Sequence, residues 1–343
     1  MSSTANVQPT LKSGFVSRAA TMADVEAIVD LMNAHWEPLI GVRKVTADNV
    51  RSLFTAPGFD SETSTRVVLS PDGHMAGVMA VVDLASPPVH PSLNGCVHPD
   101  FEGQGIGTYL IQWGKERARQ AISRVPDGVR VSMHLTAFSA HEPTRRLLEK
   151  LGLNVVRYSW IMAVDLNETP PEPDWPDGLT ICTHQDYVDM RAVYRATHEA
   201  FQDHWGYVVR EEEEEFQRWQ HQIENDKEFD PSLWFLALDG DEIAAVALCS
   251  PSIGGDQEMG WVDMLAVRRP WRRQGLALAL LHHVFGEFHR RGKKQVGLGV
   301  DAESLTGATR LYEKAGMHTI QQLAAYEQEL RPGKELGTQS IEN

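Results

Sequence analysis

The sequence predicts a mixed α/β fold built twice in tandem. Three observations carry this expectation. A glycine-centred turn occurs as FEGQGIG at 101–107 and again as WRRQGLA at 271–277. Each copy follows a strand-like run and opens a helical one, the order that buries a helix against a sheet. Between the copies lies NETPPEPDWPDG, from Asn167 to Gly178, whose prolines forbid a regular helix or central strand and mark a linker.

Other signals repeat roughly 170 residues apart, and a fixed offset is the mark of a duplicated unit. His35-Trp36 recurs as His204-Trp205, and Asp72-Gly73 between RVVLS and HMAGVMAVV recurs as Asp239-Gly240 between LWFLAL and DEIAAVALC. LLEKLGL at 147–153 recurs as LYEKAGM at 311–317. An Asp-Gly pair between two apolar runs is a hairpin signal. In each copy the expected order is strand, helix, hairpin, strand, glycine turn, helix, strand, helix, strand. The expected division is 14–165 for the first domain, 166–177 for the linker, 178–331 for the second domain and 332–343 for a tail.

Composition sets the outer limits. A chain of 343 residues with 42% hydrophobic content suits two domains with cores of their own. Lys and Arg total 32 against 47 Asp and Glu, a formal net charge of −15, which opposes a phosphate backbone and favours cationic partners. Nucleic acid and membrane are therefore not expected as partners. No apolar run has the length of a signal or spanning segment, so a cytoplasmic location is expected. Cys96, Cys182 and Cys249 lie far apart without metal-site spacing and are read as core or near-core residues. The run REEEEEF at 210–216 reads first as a solvated helix face and second as a gate for cationic substrate.

A helix that starts on glycine points free N–H groups and the positive end of its dipole at whatever precedes it, a natural diphosphate site. Neither turn carries the G-x-G-x-x-G spacing of a dinucleotide fold or the Gly-Lys-Ser/Thr ending of a P-loop. The second copy does carry Val267 closing a strand, then Arg272, Arg273, Gln274, Gly275, Leu276 and Ala277. This resembles the Gln/Arg-x-x-Gly-x-Gly/Ala coenzyme A motif of the GNAT superfamily of acetyl-CoA-dependent N-acyltransferases. The later RLYEKAGM resembles that family's last helix, with Tyr312 at the tyrosine position and Gly316 at its end. The resemblance covers about residues 178 to 331, with Ser304 or Leu305 where the family often has asparagine. The first copy departs from the motif: Glu102 replaces Gln/Arg, Leu148 replaces tyrosine, and Ala140 or His141 stands at the helix entry. The whole is similar in layout to mycothiol synthase and like tandem members, with a relaxed first copy.

The resemblance implies acetyl-CoA as co-substrate, no metal, and direct attack of a small-molecule primary amine on the thioester in a ternary complex. It places the pantetheine arm and the thioester carbonyl along the backbone of Leu265, Ala266 and Val267, and makes Tyr312 the acid for the departing thiolate. Asp263, four residues before Val267, is expected on one strand face with Leu265, either as the base or as a tie for a loop. Glu199, Asp203, His204 and Trp205 follow the first helix, where such a fold builds its acceptor wall. HEAFQDH lacks the H-E-x-x-H spacing of a zinc helix. The alternatives are a non-catalytic acyl-CoA sensor and a mycothiol-synthase-like acetyltransferase. A monomer or homodimer is expected.

Overall fold

The structure is a computed structural model that describes residues 10–41, 45–202, 204–303 and 307–337. It separates into two compact units. One joins the chain up to Val156 with Ala324–Glu335, and the other is formed mainly by Arg157–Leu323.

The first unit runs β1 (Val16–Arg18), α1 (Val25–Ile40), α2 (Ala47–Thr55), α3 (Ser61–Ser64), β2 (Thr65–Leu69), β3 (Met75–Val82), β4 (Ser92–Val97), α4 (Ile106–Arg119), β5 (Val131–Phe138) and α5 (Glu142–Lys150). β6 (Asn154–Asp165) then carries the chain toward the second unit. That unit contains β7 (Leu179–Thr183), α6 (Met190–Phe201), α7 (Glu212–Glu224), β8 (Trp234–Asp239), β9 (Glu242–Ser250), β10 (Met259–Val267), α8 (Leu276–Arg290), β11 (Gln295–Asp301) and α9 (Ala308–Lys314). β12 (His318–Arg331) closes the order. The linker between Asn167 and Gly178 forms neither helix nor strand.

Strand order is β1-β2-β3-β4-β5-β12 in the first unit and β6-β11-β10-β9-β8-β7 in the second. The hairpins turn where the sequence places Asp-Gly, and Gly73 and Gly240 adopt φ of 84° and 58° there. β4 pairs parallel with β5 and β10 with β11, and the connecting helix α4 or α8 supplies the crossover that parallel strands need; the successive pairs from β1 to β4, from β7 to β10, and β6 with β11 are antiparallel. Apolar residues pack on both faces. Val284, Phe285 and Phe288 of α8 bury one face of the second sheet, while Val193 and Ala196 of α6 bury the other.

The unit boundaries differ from those expected, because each copy takes its last strand from the other. Ser159–Asp165 of β6 pairs antiparallel with Asp301–Gln295 of β11, and Met162 and Leu166 enter the second unit's core. Ala324 and Tyr326 of β12 enter the core of the first unit with Met133 and Leu148. Alternation within a strand says which face is buried but not which sheet receives it. The two copies therefore exchange their final strands with no local trace in the sequence.

Candidate active site

β10 is paired with β9 through to Val267, but its pairing with β11 ends at Val262–Leu298. From Asp263 to Val267 the edge toward β11 thus has no strand partner among the described residues, which leaves backbone donors and acceptors for another extended chain. The same departure occurs in the first unit, where β4 meets β5 only at Ser92–His134 and Leu93–Leu135.

Beyond β10 the chain makes a single turn of 3-10 helix, Arg269–Trp271, and then the glycine turn. Arg273 has φ 64° and Gly275 φ 87°, two left-handed positions on either side of Gln274 and after the extended Arg272. A Cβ at Gly275 would touch nothing within 4 Å, so glycine is needed there for its left-handed φ rather than for room. Gly275 offers no side-chain cap to α8, and the first helix N–H groups, at Leu276 and Ala277, face outward from the helix start. Leu276 is buried, with Ala277 half-buried and Arg273 and Gln274 exposed. Gln274 Nε2 donates to Pro270 O at 3.1 Å. Arg272 turns inward: its Nε donates to Val267 O at 3.0 Å and Nη2 to Ala200 O at 3.1 Å. It ties the ends of β10 and α6 together, so anion binding at this turn falls to backbone N–H groups.

Asp263 does not share a face with Leu265. The register of β10 on β9 shifts between Val262 and Met264, and the extra residue of this bulge is Asp263. Alternation is broken, and Asp263 and Met264 line one cavity together, while Leu265 and Val267 pack toward α8. The cavity has a volume of about 210 Å³. α7 and the loop after it bring Trp219, Asp226 and Phe229 to it, β8 brings Trp234, and β9 ends in Ser250. Ser250 Oγ donates to Asp263 Oδ2 at 2.6 Å. Burial raises the carboxyl from its ordinary 3.8 to about 6, with a further push from Asp226. Solvent reaches Asp263 through the cavity although protein surrounds it on most sides.

Tyr312 lies in α9, only 8% exposed, in the apolar cluster that contains Leu276 and Val262 and against which Leu265 and Val267 pack. Burial pushes its phenol up to about 12, so it keeps its proton.

The expected acceptor wall lies elsewhere. Glu199 accepts from Arg268 Nε at 2.8 Å. The ring of His204 packs on Phe201, with centroids 4.3 Å apart, and Trp205 lies under the Arg157 guanidinium at 5.5 Å. None of these three lines the cavity, and Asp203 falls outside the described residues, as do Ser304 and Leu305. The two His-Trp pairs do not share a place either, since His35 is inside α1 and His204 lies past the end of α6. The residues that do line the cavity were hidden in the sequence: Trp219 and Asp226 follow the Glu run, which drew attention to charge rather than to the aromatic face behind it. That run is spent on arginines. Glu212 pairs with Arg195, Glu213 with Arg191, and Glu215 with Arg218.

Among the described residues, two groups could bring three metal-ligand atoms within 4.8 Å of one another: His35, Glu102 and His141, and His90, His134 and Glu327. Both lie in the first unit and both are engaged in hydrogen bonds. His35 Nδ1 is 3.1 Å from Val97 O, and Glu327 accepts from Arg130, Ser132 and His134. No helix among the described residues is long and apolar enough to cross a membrane.

Comparison with known proteins gives the family and the fold. The family model described as "Acetyltransferase (GNAT) family" matches residues 28–153 and 190–317. A mycothiol acetyltransferase of Thermobispora bispora is 28% identical over 306 residues, 86% of this chain and 93% of the relative. Another from Catenulispora acidiphila is 29% identical over 255 residues, 72% of this chain and 76% of the relative. The crystal structure of a GCN5-related N-acetyltransferase from Sphaerobacter thermophilus is 36% identical, with TM-score 0.78 over 95% of this chain and 99% of the other. A tandem GNAT protein from the clavulanic acid biosynthesis pathway shares the fold, with TM-score 0.65 at 16% identity over 93% of this chain and all of the other.

Proposed function

Because the chain belongs to the acetyltransferase (GNAT) family, matched in both halves, we propose that its second unit moves an acetyl group from acetyl-CoA to a small-molecule primary amine held in the Asp263 cavity. One observation carries the reading: the unpaired edge of β10 runs from the cavity carboxylate at one end to the Gly275 turn at the other.

The diphosphate of acetyl-CoA fits the outward N–H groups at the start of α8, where the helix dipole adds field. The pantetheine arm fits the open edge of Leu265, Ala266 and Val267 as an added strand, and an N–H there polarises the thioester carbonyl as its oxygen gains charge. The amine arrives as an ammonium. Asp263, raised toward neutrality, takes one proton, the freed nitrogen forms the new C–N bond as the C–S bond breaks, and the second proton the nitrogen loses in becoming an amide balances the one delivered to the sulfur. Tyr312 supplies a proton or hydrogen bond to the departing sulfur. This sequence uses no metal. The mycothiol acetyltransferases among the relatives put mycothiol-related amines in the acceptor screen.

The test is a pair of variants. Gly275→Glu places bulk, charge and a side chain disfavoured at φ 87° against the diphosphate, and it should abolish acetyl-CoA binding and amine-dependent thiol release. Gly105→Glu, at the first turn, should retain more than roughly a tenth of turnover, any deficit reflecting a typical single-substitution stability loss. A working Gly275→Glu variant beside a folded but dead Gly105→Glu variant would move the active site to the first unit.

A further inference from the structure

The cavity beside β10 holds two carboxylates, Asp226 and Asp263, and among the described residues no Lys, Arg or His lines it. Neither acid is in an ion pair with a described residue. Asp226 is held in place by its own turn: its N–H donates to Ile223 O at 3.1 Å, its Oδ1 accepts from Glu228 N–H at 2.9 Å, and Phe229 N–H closes on its carbonyl at 3.3 Å. Next to it stands an aromatic wall. Trp219 and Trp234 lie with ring centroids 5.5 Å apart, and Phe229 meets Trp234 edge-on at 4.9 Å.

A single ammonium does not balance this site. Once Asp263 has taken its proton, both partners are neutral, and the exposed Asp226 carboxylate still lines the cavity beside Trp219 and Trp234 with no ion-pair partner among the described residues. A second cation on the acceptor would neutralise Asp226 before, during and after proton transfer, and the indole faces would attract it further.

From this we propose that the acceptor is dicationic: the amine that is acetylated lies at Asp263, and a second cationic group of the same molecule is held by Asp226 against Trp219 and Trp234. The inference rests on the reading of Asp263 as the base. Asp226 is then a binding and specificity residue that accepts no proton itself.

The test uses the full chain with saturating acetyl-CoA and three acceptors of one carbon length: putrescine, butylamine and 4-aminobutanoate. Putrescine should exceed butylamine in kcat/KM by about 3- to 10-fold, in line with one solvent-exposed charge pair and a cation–π contact, and 4-aminobutanoate should be the slowest. Asp226→Asn should remove most of that advantage, so that putrescine falls relative to butylamine when both are measured with the same variant. Calorimetric binding of putrescine in the presence of coenzyme A should weaken in the same variant. Equal turnover of putrescine and butylamine, or an Asp226→Asn variant that slows both alike, overturns the dicationic acceptor and leaves acetyl transfer standing. Putrescine that binds through Asp226 yet is never acetylated supports the dication site and overturns the catalytic assignment instead. Absence of both binding and turnover for putrescine overturns the inference.

Discussion

Replacing Asp263 by asparagine should make the protein more stable and less active. The carboxyl rises from its ordinary 3.8 to about 6 because burial, and then Asp226, disfavour its charge. The folded state therefore holds a proton that the unfolded chain gives up, and stability falls as pH rises from about 3.8 to about 6. A rise of that size costs the folded state at most about 3 kcal/mol. Water reaches Asp263 through the cavity, and screening brings the expected cost to about 1 kcal/mol. Asparagine keeps an oxygen for the Ser250 hydroxyl, which donates at 2.6 Å, and removes the charge. Asp263→Asn should thus gain about 1 kcal/mol at about pH 7.5, and the gain should vanish near pH 4, where the parent carboxyl is neutral in the folded state. Its kcat/KM should drop by about 100- to 10,000-fold, and that of the parent should climb with pH through a value near 6. Urea unfolding followed by tryptophan fluorescence at the two pH values reads the stability change, and thiol release with a saturating amine reads the rate. A variant no more stable than the parent at neutral pH, or one whose advantage persists in acid, refutes the buried-carboxylate argument. Unchanged turnover removes Asp263 as the base.

Tyr312→Phe should lower kcat by about 10- to 1000-fold while leaving coenzyme affinity within about 2-fold, since it removes one proton and little packing; stopped-assay turnover beside calorimetry separates the two. Gly275→Glu should weaken acetyl-CoA by at least about 100-fold, because a unit charge at about 5 Å from a diphosphate charge costs about 3 kcal/mol at an effective dielectric of about 20; unchanged calorimetric affinity would reject the turn as the diphosphate site. Arg272→Ala should leave two strand- and helix-end carbonyls without their donor and lower stability by about 1–3 kcal/mol, read as an earlier urea transition. If it instead abolished coenzyme binding in a protein of unchanged stability, the guanidinium would have to contact the coenzyme directly.

Much of the fold was legible because its signals are local. Asp-Gly between apolar runs gives a hairpin, and glycine between a strand and an amphipathic helix gives the turn; both occur where the sequence puts them. Exchange of final strands was not legible, because β6 and β12 read as the same kind of half-buried strand whichever sheet receives them. At the candidate site, the glycine turn is legible as a resemblance to a family motif, whereas the cavity is not legible in the sequence. Trp219, Asp226, Phe229 and Trp234 come from a helix, a loop and a strand, and only tertiary packing brings them together. The strand face expected for Asp263 was wrong, since a one-residue bulge reverses alternation without changing composition.

The two glycine turns show which part of the motif the fold needs and which part serves the chemistry. Gly105 and Gly275 both have φ 87° and both begin a helix; Gly103 at φ 70° matches Arg273 at φ 64°. Glu102 and Arg272 end equivalent 3-10 turns at φ −62° and −68°. The backbone is thus the same while the side chains oppose each other in charge. Arg272 supplies a donor to Val267 O at the end of β10. In the first unit the matching carbonyl, Val97 O, lies 3.1 Å from His35 Nδ1 instead. With that carbonyl satisfied from α1, position 102 is released from its structural duty, and a glutamate can stand there without loosening the turn. Its carboxylate faces His141 at 3.5 Å and His35 at 4.0 Å. Burial and the neighbouring His141 push the His35 imidazole down to about 4, so His35 gives Glu102 no charge compensation at neutral pH. Glu102 stands at the mouth of a cradle still shaped for an anion, with His141 3.5 Å from it, and Leu148, fully buried, stands where the second unit has Tyr312. We propose that the first copy is inactive, and that state needs no change of fold: Glu102 and Leu148, where the second unit has Arg272 and Tyr312, account for it.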